Sequence, residues 1–318
     1  MKKITILLAV LLLAGCCGFL SLGGSKDLFE LVPKTADIII IARPLAILND
    51  SDLSSYTSDM QSQVDTIQQS SGMDPMKIDR LAVFMTSNSM DSQTTYMGVI
   101  IRGTIDKGRV LGNLSSTNTI TNTTYGDSLV YKASPKGGHG TPVYFTFLDD
   151  STLVLGTQDA VRNTIDVNSG KMDSIKSNQN FSQMYASFDK NSLVMLMMAD
   201  SSTVKDYLRS MGGTTFNTTS LSSADYFGLS ILKEMKNINI KLLVTADNSA
   251  SASSISTLFN KVLSSIEGLT QSGSAAEAVV NKINVATTGS TVTVTLSTTS
   301  DELEQLQEEM GSLQPEPD

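Results

Sequence analysis

The pattern of apolar and polar positions predicts alternating strands and helices along most of the chain. The run Ile38–Ala42 is continuously apolar and follows turn residues, which is typical of a buried strand. After residues 50–52, apolar positions recur at helical spacing as far as Gly72, which predicts a helix with one apolar face. Strand-like runs follow in pairs with short turns between them, and such pairs favour antiparallel pairing.

The second half of the chain repeats this order of predicted elements. Its predicted helices and strands lie at residues 181–186, 193–198, 204–211, 226–232, 238–245, 275–280, 283–286 and 292–296, with a helix beginning at Ser253 or Ser254 and another capped by Ser300. We therefore expect an α+β fold of two similar halves, each an antiparallel sheet with helices packed on one face. The expected domains are a leader and tether at 1–25, a first α+β repeat at 26–175, and a second at 176–318 that ends in an acidic helix and tail.

The first seventeen residues combine basic, apolar and small residues in the order of a secretory signal. Lys2 and Lys3 precede an unbroken apolar run, which Leu13-Ala14-Gly15-Cys16 closes. These closing residues resemble the lipobox of prokaryotic lipoproteins. The resemblance implies cleavage before Cys16, a lipid on its thiol, and a location on the cell membrane, facing outside the cytoplasm. An uncleaved membrane helix at residues 4–22 is the alternative, because nineteen residues just suffice to span a bilayer.

Short segments of the first half resemble a group of exported prokaryotic α+β proteins of unknown function. They are Val32-Pro33 with Ala36-Asp37, Gly72-Met73-Asp74-Pro75 with 78–81, 96–103 with Ile105-Asp106, and 153–156 with 159–161. The segments are turns and strand edges, so the resemblance implies a fold and brings no catalytic residues with it.

Composition narrows the range of partners. The net charge is -9 and no Lys/Arg cluster occurs, so we expect no nucleic acid partner. Both cysteines lie at the anchor, Cys16 and Cys17, which leaves the body without disulfides or cysteine metal ligands. Asn-x-Ser/Thr sequons mark five glycosylation candidates, although abundant Ser and Thr also explain them by chance. They are Asn49, Asn113, Asn122, Asn180 and Asn217.

Two serine motifs and one histidine suggest hydrolase chemistry without completing it. Gly126-Asp127-Ser128-Leu129 matches the nucleophile block of the GDSL esterases, but it precedes a predicted strand and lacks the downstream Asp-x-x-His. Ser187-Phe188-Asp189-Lys190 matches Ser-x-x-Lys, as in penicillin-recognising enzymes, without a Lys-Thr-Gly partner. The single histidine, His139, lies in a glycine-rich loop, and a lone His cannot build a multi-His metal site.

Two further patterns suggest metal ions, and each has a simpler interpretation. The segment 166–170 begins like a calcium loop but lacks the later ligands, so we interpret Gly170 as a helix end. Met195, Met197 and Met198 offer thioethers to copper, but their alternation favours packing residues of a buried strand.

These observations predict a non-enzymatic envelope lipoprotein that serves as a binding or structural module. We expect no cofactor or metal and no catalytic residues. The expected partners are the membrane, through the lipid or an N-terminal helix, and an unknown envelope protein or small ligand. The alternative function is an exported solute-binding lipoprotein that holds its ligand between the two halves, where pockets tend to form.

Overall fold

The computed structural model describes residues 26–57, 61–86, 96–199, 218–268, 270 and 272–312. They form two compact units, one ending at Tyr185 and one beginning at Ala186. The sequence analysis placed this boundary after residue 175. Each unit combines an antiparallel sheet with helices, so the predicted α+β class is confirmed.

The first unit is built on a sheet of apolar central strands. Its strands are β1 Ile38–Ala42, β2 Ile78–Met85, β3 Met97–Gly103, β4 Asn118–Tyr125, β5 Ser128–Pro135, β6 Val143–Phe147 and β7 Thr152–Gly156. Their order in the sheet is β1-β2-β3-β7-β6-β5-β4, and all neighbours are antiparallel. All five residues of β1 are buried, as the apolar run predicted.

The helices of the first unit lie between these strands and after them. They are α1 Leu28–Leu31, α2 Pro44–Leu48, α3 Ser54–Thr57, α4 Gln61–Ser71, α5 Lys107–Thr117, α6 Gln158–Asn168 and α7 Gln179–Ser187, with 3₁₀ turns at Ser51–Leu53, Pro75–Lys77 and Ile175–Ser177. The last helix, α7, spans the boundary between the units. Gly72 follows α4 with a φ of 73°, a left-handed conformation that glycine adopts freely, so the predicted helix end is correct.

The second unit has a sheet with the order β8-β9-β10-β12-β11. Its strands are β8 Val194–Ala199, β9 Ala224–Glu234, β10 Asn237–Ala246, β11 Asn284–Thr288 and β12 Thr291–Thr299; its helices are α8 Ser249–Glu267, α9 Ala275–Val280 and α10 Ser300–Ser312, with a 3₁₀ helix at Thr218–Ser223. Ala252 and Ile255 of α8 are fully buried and pack with Val244 and Val292 of the sheet. This cluster is the core of the second unit. The helical face predicted at 204–211 lies outside the described residues.

The helix predicted at residues 275–280 is confirmed as α9, whereas the start of α8 and the cap of α10 differ from the prediction. Helix α8 begins at Ser249, because the Asn248 side chain accepts a hydrogen bond from the Ser251 amide at 2.9 Å. Helix α10 is capped by Thr299 and not by Ser300. The Thr299 hydroxyl accepts from the Glu302 amide at 3.2 Å, and the Glu302 carboxylate accepts from the Thr299 amide at 3.1 Å. These reciprocal bonds form a capping box, which defines the start of α10.

The two units share one order of elements. In the first, β1, β2, β3, β7 and β6 are successive neighbours, and α5 and α6 follow β3 and β7. In the second, β8, β9, β10, β12 and β11 are successive neighbours, and α8 and α10 follow β10 and β12. The first unit adds the β4–β5 hairpin to its sheet. The common order is what a duplicated α+β plan produces.

Candidate functional site

A pocket of about 350 Å³ with both polar and apolar walls lies in the second unit. Pockets that hold small molecules occupy a few hundred cubic ångströms and present a few convergent polar groups. The polar groups come from the loop between α7 and β8 and from β9, β10 and β12. The main contributors are Ser187, Asp189, Ser192, Ser230, Lys241 and Thr295.

The pairing of three strands brings the sheet part of the pocket together. Ser230 of β9 lies opposite Lys241 of β10, and Lys241 lies opposite Thr295 of β12. Because alternate residues of a strand point to opposite faces, these three side chains share one face of the sheet. The neighbouring positions Leu242 and Val292 belong to the other face, and both pack in the core that contains α8. One face of this sheet therefore packs against α8, and the other carries these polar side chains together with the buried Met195, Met197 and Leu243.

The hydroxyl group of Ser192 is the most unusual group in the pocket wall. Ser192 is only 1% exposed, and its Oγ has no hydrogen-bond partner within the described part of the protein. Its backbone amide donates to the Asp189 carbonyl at 3.0 Å, so the turn holds the residue in place. Buried polar atoms are nearly always hydrogen-bonded, and an unsatisfied one costs about 1–3 kcal/mol. The position therefore favours a ligand group or water that bonds to this hydroxyl.

The pocket contains two lysines and one aspartate in different surroundings. Lys241 is partly buried as a residue, and its ammonium donates an exposed hydrogen bond to the Ser187 carbonyl at 2.9 Å; it forms no ion pair with the residues that the structure describes. Lys282 is instead paired with Glu302. Asp189 is exposed, and its Oδ1 accepts from the Asn191 amide at 2.7 Å. Of the two pocket lysines, Lys241 is therefore the one without an ion pair to a described residue.

This pocket was not predicted from the sequence, although one signal was present. Polar residues recur at every second position of two strands, at 239 and 241 in β10 and at 295 and 297 in β12. This alternation predicts that these positions share one face of the sheet. The pairing register decides which strands are neighbours and that Ser192 is buried next to them.

The proposed lipid site and sequons fall in varied places. Cys16 and Asn217 lie outside the described residues. Asn49 at the end of α2 and Asn122 on β4 are exposed, whereas Asn113 and Asn180 are partly buried. The Asn113 Nδ2, the atom that would carry a glycan, donates to the Gln69 carbonyl at 3.0 Å. A glycan at Asn113 would have to displace this bond.

The residues considered for hydrolase chemistry lie in turns. Gly126 and Asp127 form the turn of the β4–β5 hairpin, and Ser128 pairs with Tyr125 at the start of β5. His139 is exposed in the loop between β5 and β6. Ser187 is the last residue of α7 and contributes its carbonyl to Lys241. These positions agree with the turn interpretations made from the sequence.

The residues considered for metal binding are explained by other contacts. Met195 and Met197 are fully buried on one face of β8, and Met198 packs against the core near α8 on the other, as their alternation predicted. Asp166 accepts from the Tyr125 hydroxyl at 2.8 Å, and this hydrogen bond raises the pKa of Tyr125. Gly170 ends α6 with a φ of 74°. No cluster of three His, Cys, Asp or Glu residues suited to a metal occurs in the described ranges.

A second, much smaller cavity of about 70 Å³ lies in the first unit. Asp74 and Asp106 in its wall are occupied as helix caps, since they accept from the amides of Met76 and Arg109 at 2.9 Å. The cavity holds only a few water molecules, so we regard it as structural. Among the helices described, none is both long and apolar enough to cross a lipid bilayer.

Comparison with known proteins identifies a fold and no family. No protein-family model matches the sequence, and no curated protein matches it. Solved structures of TP0453 do share its fold. Crystal form III has a TM-score of 0.54 over 90% of this chain and 100% of its own, at 10% identity. Crystal form I has a TM-score of 0.50 over 90% of this chain and 98% of its own, at 11% identity. Crystal form IV has a TM-score of 0.52 over 89% of this chain and 97% of its own, at 12% identity. Such low identity shows a common α+β architecture alone.

Proposed function

We propose that this protein is a membrane-anchored extracytoplasmic lipoprotein that acts as a non-enzymatic binding or structural module of the cell envelope. The observation that carries this proposal is the leader, in which Lys2, Lys3 and an apolar run precede Leu13-Ala14-Gly15-Cys16. The catalytic motifs considered above lack their partner residues in the sequence, which supports a role in binding over one in catalysis.

The start of the folded body suits attachment through a short tether. Lys26 donates to the carbonyls of Val167 and Asn168 at 3.1 and 2.8 Å, where a cation also complements the end of α6. Asp27 caps α1 by accepting from the Phe29 amide at 3.0 Å. Residues 17–25 would then be the whole tether after cleavage. Nine residues span roughly 30 Å at most, so the anchor would hold the body close to the lipid surface.

Neighbouring cysteines provide a matched test of the anchor. We expect Cys16→Ala to block lipid attachment and to leave an uncleaved precursor, while Cys17→Ala keeps the lipid. Intact-mass measurement on protein extracted from membranes distinguishes these products. A wild-type mass that begins at Met1 would contradict the proposal and favour the uncleaved helix, and a lipid adduct that survives Cys16→Ala would contradict Cys16 as the lipid site.

The pocket of the second unit favours solute binding as the second candidate function. A ligand that binds only the native state raises the free energy of unfolding by mass action. A thermal-shift screen over amino acids, peptides, sugars and metal ions should therefore find at least one stabilising class. If every class leaves the unfolding midpoint unchanged, the solute-binding alternative is wrong and a structural or protein-binding module remains.

A further inference from the structure

We propose that the pocket of the second unit binds a small polyhydroxylated anion, such as a sugar acid or a sugar phosphate. This inference deepens the solute-binding alternative and rests on it, but it does not depend on the lipid anchor. Three features of the wall carry it: an ammonium that forms no ion pair with the described residues, buried hydroxyls, and an apolar strip beside them.

The ammonium of Lys241 favours an anionic ligand. Its one hydrogen bond with the described residues goes to a neutral carbonyl, that of Ser187, and a lysine ammonium has three donors. The strand pairing holds its backbone between those of Ser230 and Thr295, so the charge faces the pocket together with their hydroxyls. Charge-assisted bonds to a carboxylate or phosphate are about twice as strong as neutral ones.

The serine hydroxyl groups of the pocket favour a ligand that can both donate and accept hydrogen bonds. Ser192 Oγ is buried without a partner in the described residues, and Ser230 is only 4% exposed. A serine hydroxyl has one donor and two acceptor sites, as has each hydroxyl of a sugar derivative. A bound polyol would therefore satisfy Ser192 with the same chemistry that water offers, but in a fixed arrangement.

The remaining wall limits the ligand further. Leu232 follows Ser230 on the same face of β9 and supplies an apolar surface for the C–H groups of a polyol. The carboxylate of Asp189 lies at the exposed rim and opposes a second negative charge. Because asparagine keeps the acceptor that bonds to the Asn191 amide, Asp189→Asn removes only the charge. We expect that variant to bind the anion severalfold more tightly.

The direct test uses the full chain in detergent and isothermal titration with three probes. Gluconate supplies a carboxylate, glucose 6-phosphate supplies a phosphate, and glucose is the matched neutral polyol. We expect at least one anion to bind at least tenfold more tightly than glucose. Absence of binding by both anions, or equal affinity for glucose, would overturn the inference.

Two variants test the named groups against matched controls. Lys241→Gln should weaken anion binding about 10- to 100-fold, because a charged hydrogen bond is lost. Lys261→Gln, an exposed position on α8 outside the pocket, should leave it unchanged. Ser192→Ala should weaken binding about 3- to 10-fold while the ligand-free protein unfolds at the same or higher urea concentration. Wild-type affinity in Lys241→Gln, or a less stable ligand-free Ser192→Ala protein, would overturn the assignment.

These outcomes separate the inference from the proposal for the anchor. A chain that carries lipid on Cys16 but binds neither anion keeps its anchor and loses the ligand assignment. A chain that binds an anion but retains Met1 keeps the ligand assignment and loses the anchor.

Discussion

The hairpin between β9 and β10 carries a methionine where the other two tight hairpins carry glycine. Gly126 and Gly289 begin the two-residue turns of the β4–β5 and β11–β12 hairpins, with φ of 57° and 58°. Met235 begins the β9–β10 turn with φ of 53°, the one non-glycine residue with positive φ in the described ranges. A positive φ at only the first central residue is the pattern of a type II′ turn, which prefers glycine there.

The magnitude of the strain follows from the conformation and the exposure. An L-residue in the left-handed region costs about 1–2 kcal/mol. A glycine at this position would avoid that cost. Glycine also loses more backbone entropy on folding, which offsets about 0.5–1 kcal/mol of the stability gained. Met235 is 89% exposed, so its removal sacrifices almost no burial. We therefore expect Met235→Gly to raise the free energy of unfolding by about 0.5–1 kcal/mol.

The neighbouring position gives the control. Lys236 occupies the second central position without a positive φ, so Lys236→Gly gains no relief and should lose about 0.5–1 kcal/mol to entropy. Urea unfolding followed by far-ultraviolet circular dichroism suits this chain, which contains no Trp. The reasoning is refuted if Met235→Gly is less stable than wild type, or if the two glycine variants shift the midpoint in the same direction.

Three other predictions concern packing, a carboxylate and a buried phenol. A methyl group at Gly98 would overlap the fully buried Phe84 ring, so Gly98→Ala should lower the free energy of unfolding in urea by about 1–3 kcal/mol. Phe84→Leu should cost less in the Gly98→Ala background than in the wild type, and additive losses would contradict the clash. Hydrogen bonds from Lys282 and Thr298 lower the pKa of Glu302 to about 2, below its unfolded value of 4.5. The charged carboxylate therefore stabilises the fold above pH 4.5, and this stabilisation is lost as the pH falls towards 2. Glu302→Gln should therefore cost about 0.5–1 kcal/mol at pH 7 and nothing near pH 2 in denaturation curves, and a pH-independent difference would refute the assignment. Tyr185→Phe keeps the stacked ring but removes the 2.8 Å bond to Asp27, and should lose about 1–2 kcal/mol in urea unfolding, whereas unchanged stability would show that the bond contributes nothing.

Apolar strands were predictable because a run of consecutive apolar residues indicates burial. Ile38–Ala42 became β1, and residues 193–198 correspond to β8, Val194–Ala199. A continuous apolar run predicts burial, and its short length and β-branched residues favour a strand over a helix. The alternation of Met195 and Met197 against Met198 was equally informative, because a period of two assigns side chains to faces without any knowledge of the neighbours.

Polar elements were not predictable in this way. The strand β4, Asn118–Tyr125, was missed because it is largely exposed and rich in Thr and Asn. Its pairing with β5 rests on backbone hydrogen bonds, which leave no hydrophobic period in the sequence. The short helix α2, Pro44–Leu48, was missed for a different reason. All five of its residues are apolar and it is only five residues long, so no helical alternation of apolar and polar positions marks it.

The candidate site escaped prediction because its parts are far apart in sequence. Ser192 comes from a loop, and Ser230, Lys241 and Thr295 come from three strands. Each is an ordinary polar residue in its own segment, and no local motif relates them. Their meeting is decided by the register of two strand pairs, where a shift of one residue would place Lys241 in the core face.

The shared order of strands makes the difference between the two units informative. In the first unit, the successive strands β2, β3 and β7 are mostly buried, with apolar residues at consecutive positions. In the second, the corresponding strands β10 and β12 carry polar residues at alternate positions, and Ser230 of β9 lies opposite Lys241 of β10. Two-sided burial maximises apolar stabilisation but leaves no room for a ligand, whereas a polar face loses that burial. Stability alone does not explain why the second unit keeps a buried Ser192 hydroxyl without a partner among the described residues in the same pocket as Lys241, and a ligand that bonds to both groups would explain it.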